Sequence, residues 1–125
     1  MRENQISGKI IGAAIEVHQQ LGPGLLETSY QHCLYHELLK RGIRVRKEVP
    51  LPLVYKGEKL DAGYRLDLFV EDTVIIEVKA VDVLAPIHKA QILTYLKLNA
   101  SKLGLLINFN TILLKDGIQR VVNNL

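Results

Sequence analysis

Apolar residues recur at helical spacing through the first part of the chain and at every second position through the middle. Ile6, Ile10, Ala14, Val17 and Leu21 lie on one helical face and Gly22 supplies a stop, which predicts a helix over residues 4–21. Pro23-Gly24 breaks the chain. Leu26, Tyr30, Cys33, Leu34 and Leu38 then define a second helix that ends before Gly42. From Ile43 the period changes to two, which predicts strands over 43–49 and 51–55, a turn at Lys56-Gly57-Glu58, and strands over 63–70 and 73–80. Pro86 suits the first turn of a third helix running to about Asn99. The continuous apolar run Leu103–Phe109 reads as a strand buried on both faces. After it, Asp116-Gly117 reads as a turn before a short strand within 112–122. The order is α-α-β-β-β-β-α-β with a small addition, an α/β (α+β) class with a mixed central sheet flanked by helices. No repeat or long linker interrupts it, so residues 1–125 are expected to form a single domain.

Three residues break the apolar pattern of the central strands. Asp67 lies in GYRLDLFV, and Glu77 and Lys79 lie in TVIIEVKA. Charges on the walls of a core are costly unless they are paired or bind a metal. If the turn between the strands centres on Asp72 and pairs Val70 with Val74, Asp67 falls directly opposite Glu77. A two-residue turn would instead oppose Asp67 to Val78; with no Asn-Gly or Asp-Gly pair present, the wider turn is expected. Alternation then puts Arg65, Asp67, Phe69, Ile75, Glu77 and Lys79 on one face, and Leu66, Leu68, Val70, Val74, Ile76 and Val78 on the other. Directly opposed residues have Cβ atoms about 4.5 to 5.5 Å apart, where like charges repel. A divalent cation between them turns that repulsion into binding.

Composition narrows the class. The chain is 48% hydrophobic and has no apolar run of membrane-spanning length. The start, MRENQISGK, lacks the basic-then-apolar order of a signal peptide, so a cytoplasmic location without membrane attachment is expected. Cys33, the one cysteine, excludes an intrachain disulfide, and its phase predicts a buried thiol. A net charge of +3 permits a nucleic-acid partner without implying one.

A metal-dependent phosphodiesterase needs oxygen ligands for a hard cation and a group that activates water or steadies charge on the phosphate. Asp67 and Glu77 supply ligands, the Val78 carbonyl a third oxygen, and Lys79 the cation. On the third helix His88, Gln91 and Tyr95 share a face, and the rest of that helix reads as apolar nearly all round, so the polar strip should meet polar partners. Glu27 occupies the apolar phase of the second helix beside Tyr30 and Leu34.

Asp67, Glu77 and Lys79 match the D-x(n)-(D/E)-x-K signature of the PD-(D/E)xK nuclease superfamily, and Gln91 with Tyr95 resembles the Q-x-x-x-Y element of its RecB-like members. GLLETSY, with Gly24, Glu27 and Tyr30, resembles the motif of the GxxExxY proteins. AAIEVHQQLGPGLLE, GYRLDLFV, IIEVKA, HKAQILTYL and LGLLINFN extend that likeness over almost the whole chain. The proline usual before the aspartate is absent, Arg65-Leu66 standing there. The resemblance implies a restriction-endonuclease-like core and Mg²⁺- or Mn²⁺-dependent hydrolysis of nucleic acid, DNA ahead of RNA. Its implied ligands are Asp67, Glu77, the Val78 carbonyl and Glu27; Lys79 would aid the chemistry, and Gln91 and Tyr95 would orient the site.

Plainer readings stand beside these. Asp67 and Glu77 could be salt-bridged to Arg65 and Lys79. Glu27 could serve the helix dipole, and Gln91 and Tyr95 could satisfy local backbone groups. His32 and His36 lack a third ligand and read as a solvated face. Lys40, Arg41, Arg44, Arg46 and Lys47 read equally as a solvated surface or a phosphate-tracking patch. The rival function is a non-catalytic module that binds nucleic acid or protein, and a homodimer or partner subunit stays open.

Overall fold

A computed structural model describes residues 2–125. Helix α1 (Arg2–Leu21) buries Ile6, Ile10, Ala13, Ala14 and Val17, the stripe that the helical spacing implies. It stops at Gly22, whose φ of 68° suits a residue without Cβ. Helix α2 (Glu27–Lys40) follows, burying Tyr30, Gln31, Leu34 and Leu38. The strands are β1 (Val45–Pro50), β2 (Leu53–Tyr55), β3 (Glu58–Leu60), β4 (Arg65–Val70) and β5 (Val74–Lys79). Helix α3 (Pro86–Leu98), β6 (Leu103–Asn108), a 3-10 turn at Leu114–Gly117 and β7 (Ile118–Val122) complete the described chain. None of its helices is long and apolar enough to cross a membrane.

Five strands form one mixed sheet in the order β1-β4-β5-β6-β7. Only β5 and β6 run parallel, because α3 carries the chain back between them. Helices α1 and α2 cover one face, where Ile10, Leu34 and Leu38 pack with Leu68, Val70, Ile76, Leu105 and Ile107. Helix α3 covers the other with Ile92, Tyr95 and Leu96 against Leu66, Phe69, Ile75 and Leu106. Gly104 sits beneath α3, where an added Cβ would come within 2.8 Å of Ile92 Cδ1.

The expected class and mixed sheet are present, with four local differences. A fifth strand, β3, forms where only the end of a turn was expected, and it pairs with β2 as a hairpin separate from the main sheet. Leu66 packs on the α3 side with Phe69, not with Leu68 and Val70. Strict alternation therefore fails at Asp67, between them. Cys33 is exposed, because the buried stripe of α2 runs through Gln31, Leu34 and Leu38 instead. Helix α3 is one-sided: Ile87 is 69% exposed and Ala90 faces solvent, so the helix has an ordinary wet face.

The β4–β5 register is the expected one, with Val70 opposite Val74. Its turn is tighter than the register suggests. Glu71 and Asp72 both take positive φ, 52° and 50°, and the Thr73 N–H donates to the Val70 carbonyl at 2.9 Å. Thr73 is the extra residue that keeps Val70 opposite Val74. Glu71 tolerates its conformation because its carboxylate accepts the Arg44 N–H at 2.7 Å.

Candidate active site

Backbone pairing between β4 and β5 ends at Leu68↔Ile76. Beyond it, side chains replace the ladder. The Asp67 N–H donates to Glu77 Oε2 at 2.9 Å, and the Val78 N–H donates to Asp67 Oδ2 at 2.8 Å. Each carboxylate is thus held by the other's strand, with one oxygen engaged and one left over. The Val78 carbonyl lies on the same strand edge as its N–H, toward β4.

On the far side of β4 the pairing with β1 skips Asp67 and Glu48, although Lys47↔Leu68 and Val49↔Leu66 flank them in register. Glu48 adopts φ 52°, a conformation uncommon for a residue with a side chain. Gln31 from α2 bridges the gap: its Nε2 donates to Glu48 Oε1 at 3.0 Å and approaches the Asp67 carbonyl at 3.4 Å. Asp67 therefore sits where the β4–β5 ladder ends and the β1–β4 ladder skips a single rung before resuming at Val49↔Leu66.

The electrostatics follow from burial without counter-ions. Glu77 is 5% exposed. Burial, then the Asp67 charge, raises its pKa well above the carboxylate range. Burial likewise raises Asp67, against the opposing Val78 N–H and Lys79, with Glu48 and Glu27 adding to the rise. Among the described residues neither carboxylate forms an ion pair: Arg65 turns to Asp61 at 3.8 Å and to the Tyr64 carbonyl at 2.8 Å. The plain salt-bridge reading of the pair is therefore not what the fold builds. Lys79 acts on both groups only through space, its charge lowering both pKa values.

The other expected site residues divide. Tyr95 is buried beside the pair; burial and the Glu77 charge raise its phenol, and its ring meets Tyr64 edge-on at 6.1 Å. Glu27 is exposed in the first turn of α2, and its charge reaches Asp67 without contact. Gln91 is exposed and makes no side-chain hydrogen bond among the described residues. His88 Nδ1 accepts the Ala85 N–H at 3.0 Å, so it caps α3. The expected polar strip of α3 thus dissolves into a cap, a solvated amide and one buried phenol.

No three His, Cys, Asp or Glu side chains converge as a metal cage among the described residues. The donor set still fits a hard cation of the Mg²⁺ kind, which keeps several waters and takes one or two carboxylates. Two carboxylates with free oxygens, drawn together on strands that have stopped pairing, meet that description. Among the described residues no histidine or cysteine stands with them, the ligands that usually complete a zinc site.

The basic cluster is largely neutralised. Arg41 pairs with Glu37 at 2.7 Å, Arg44 with Glu71 at 3.7 Å and Arg46 with Asp72 at 2.8 Å, while Lys47 lies 4.7 Å over the Tyr35 ring. A cavity of about 520 Å³ lined by Arg2, Lys9, Arg41 and Glu71 lies at the turn end of the β4–β5 hairpin, away from the carboxylates.

Three supporting residues were missed from sequence. Gln31 lies one helical turn after Glu27, a spacing that was legible. Glu48 carried no signal, because its backbone conformation is a property of the sheet. Asn108, 2% exposed at the end of β6, accepts the Val81 N–H at 3.0 Å and donates to the Val81 carbonyl at 2.9 Å. It pins the segment leaving β5 just beyond Lys79.

A mixed sheet with helices on both faces, carrying Asp, Glu-x-Lys on two adjacent central strands, defines a nuclease-type α/β domain. The chain belongs to the PD-(D/E)XK nuclease superfamily, whose family model matches residues 4–121. No curated protein and no solved structure matches it significantly. Members of this superfamily are typically metal-dependent.

Proposed function

We propose that this chain is a metal-dependent phosphodiesterase that hydrolyses nucleic acid, DNA ahead of RNA, acting as one domain in the cytoplasm. The observation that carries the reading is the pair Asp67 and Glu77, drawn together in the core without a cation at contact distance. Evolved cores rarely keep so costly a pair without a use for it. Asp67, Glu77 and the Val78 carbonyl would hold Mg²⁺ or Mn²⁺. When bound, such an ion supplies Lewis-acid polarisation of the phosphoryl oxygen and acidifies water.

The protein's own groups do the rest. The Val78 and Asp67 N–H groups orient the two carboxylates before any ligand arrives, which reduces reorganisation during reaction. Lys79 places a positive charge beside the pair, suited to steady negative charge on a phosphoryl oxygen or to orient water. Tyr95 closes the α3 side of the site. Glu27 adds negative charge at the mouth, and Gln91 offers an amide to substrate from the exposed face of α3.

The likeness to the GxxExxY proteins has a physical basis. Gly24 takes φ 99° in the loop between α1 and α2. The Tyr30 hydroxyl donates to the Gly22 carbonyl at 2.6 Å and accepts the Leu25 N–H at 3.1 Å, while its ring stacks on Phe109 at 4.6 Å. The glycine and tyrosine thereby set the loop that presents Glu27. This favours placing the chain with that family.

Incubation of labelled DNA and RNA with Mn²⁺ tests the activity. Lys79→Ala should lower cleavage by about 100-fold or more, on the scale of losing one charge-stabilising group, while calorimetric Mn²⁺ binding persists. Equal cleavage by Lys79→Ala would overturn the mechanism. A non-catalytic binding module is the second reading; among the described residues no third ligand side chain converges on the pair. Failure of Mn²⁺ to bind at neutral pH would decide for it.

A further inference from the structure

The β2–β3 hairpin stands off the body of the protein. Its strands pair only with each other, and no helix or other strand packs extensively against it. A lone two-stranded hairpin is marginal in water. This one nevertheless exposes Val54, Leu60 and Tyr55, the last at 59%. Exposed apolar side chains gathered on one small element mark a contact surface more often than chance decoration.

Its root is tied to the sheet and lies beside the carboxylates. The Leu51 N–H donates to the Tyr64 carbonyl at 3.0 Å, closing the stem. Leu51 is buried with Leu66 and Tyr95, and Tyr64, itself partly open to solvent, meets Tyr95. The chain enters the stem shortly after Glu48 and leaves it shortly before Asp67.

The side chains on offer have a definite chemistry. Lys56 lies 5.5 Å over the Tyr55 ring, and Lys59 stands opposite Val54 across the hairpin. Neither lysine is ion-paired among the described residues, in contrast to Arg44 just before β1 and Arg46 within it. Glu58 stands opposite Tyr55, and Lys59 lies on the other hairpin face, so Lys56 is the cation at the ring. An exposed aromatic ring beside an uncommitted ammonium group suits a strand with unstacked bases: the ring takes a base face and Lys56 a phosphate. A duplex keeps its bases stacked and offers the ring little.

We infer that the β2–β3 hairpin, through Tyr55 and Lys56 with the adjoining Tyr64, grips single-stranded nucleic acid and delivers it to the Asp67–Glu77 site. The inference rests on the nucleic-acid reading above and deepens it. Fluorescence anisotropy of the full chain in EDTA, with a labelled mixed-sequence oligonucleotide of about 12 nucleotides and its duplex, tests it. The wild type should prefer the single strand. Tyr55→Ala with Lys56→Ala should weaken single-strand binding about 10-fold or more, the scale of one lost stacking contact, while Tyr55→Trp should retain it. Unchanged affinity in the double variant, or preference for the duplex, overturns the hairpin's role and leaves the nucleic-acid reading standing. Failure of the wild type to bind either form overturns both. Light scattering on the same samples covers the remaining occupant: a dimer that the double variant converts to monomer, with oligonucleotide affinity unchanged, assigns the surface to a second copy and overturns the inference.

Discussion

Asp67 and Glu77 are locked by reciprocal hydrogen bonds, the Asp67 N–H on Glu77 Oε2 at 2.9 Å and the Val78 N–H on Asp67 Oδ2 at 2.8 Å. The carboxylates replace a rung of the ladder between their strands. They are oriented by backbone and unneutralised by side chains, so their protonation is coupled to stability and, on the proposed function, to metal binding.

Glu77 is pushed up to about 8 by burial and by Asp67. Between its ordinary carboxylate range and that value, the native state holds a proton that the unfolded chain has released. Stability should therefore be greatest at acidic pH and fall as pH rises through that window in metal-free buffer. Thermal denaturation from pH 5 to pH 8 should show a falling midpoint, and Glu77→Gln should flatten the slope. A midpoint that climbs over that range contradicts the assignment.

Cation binding should release protons for the same reason. Near neutral pH the site must lose a proton before both carboxylates can ligate, so Mn²⁺ affinity should rise from pH 6 to pH 8. Calorimetry in buffers of different ionisation enthalpy measures the protons released, and Glu77→Gln should abolish the dependence. A proton count of zero in the wild type contradicts the prediction.

Glu48 raises both pKa values while Gln31 holds its side chain. Glu48→Gln removes a like charge and should move the pH midpoint of Mn²⁺ binding downward. Gln31→Ala should cost about 1 kcal/mol of stability in urea denaturation, the net worth of a hydrogen bond.

Asn108 satisfies both polar groups of Val81. Asn108→Ala strands the partly buried Val81 N–H and leaves the Val81 carbonyl only the Asn110 amide at 3.5 Å, at about 1–3 kcal/mol in all. Hydrogen exchange should show the largest loss of protection at 80–85. Loss spread evenly over the chain would indicate a general core role instead.

Tyr30→Phe keeps the ring stacked on Phe109 and deletes the hydroxyl that ties Gly22 to Leu25. It should lower stability by about 1–2 kcal/mol and speed proteolysis within 22–26. Unaltered cleavage there would show that the loop needs no such tie.

The element order apart from β3, the mixed sheet and the Val70–Val74 register were legible because helical and strand periods differ and a buried face admits one register. Asp67, Glu77 and Lys79 were legible because charges in apolar strands are costly. Tertiary structure alone decided the rest. Gln91 and Glu27 share phase with buried residues yet face solvent, because which turns of a helix are covered depends on where the neighbouring strands end. Glu48 became a neighbour of the pair through a positive φ that no local pattern encodes. The break in alternation at Asp67, which separates Leu66 from Leu68, arises where β5 stops pairing with β4 and β1 skips one rung. Local sequence set the residues of the candidate site; long-range pairing, and its interruption, set their geometry.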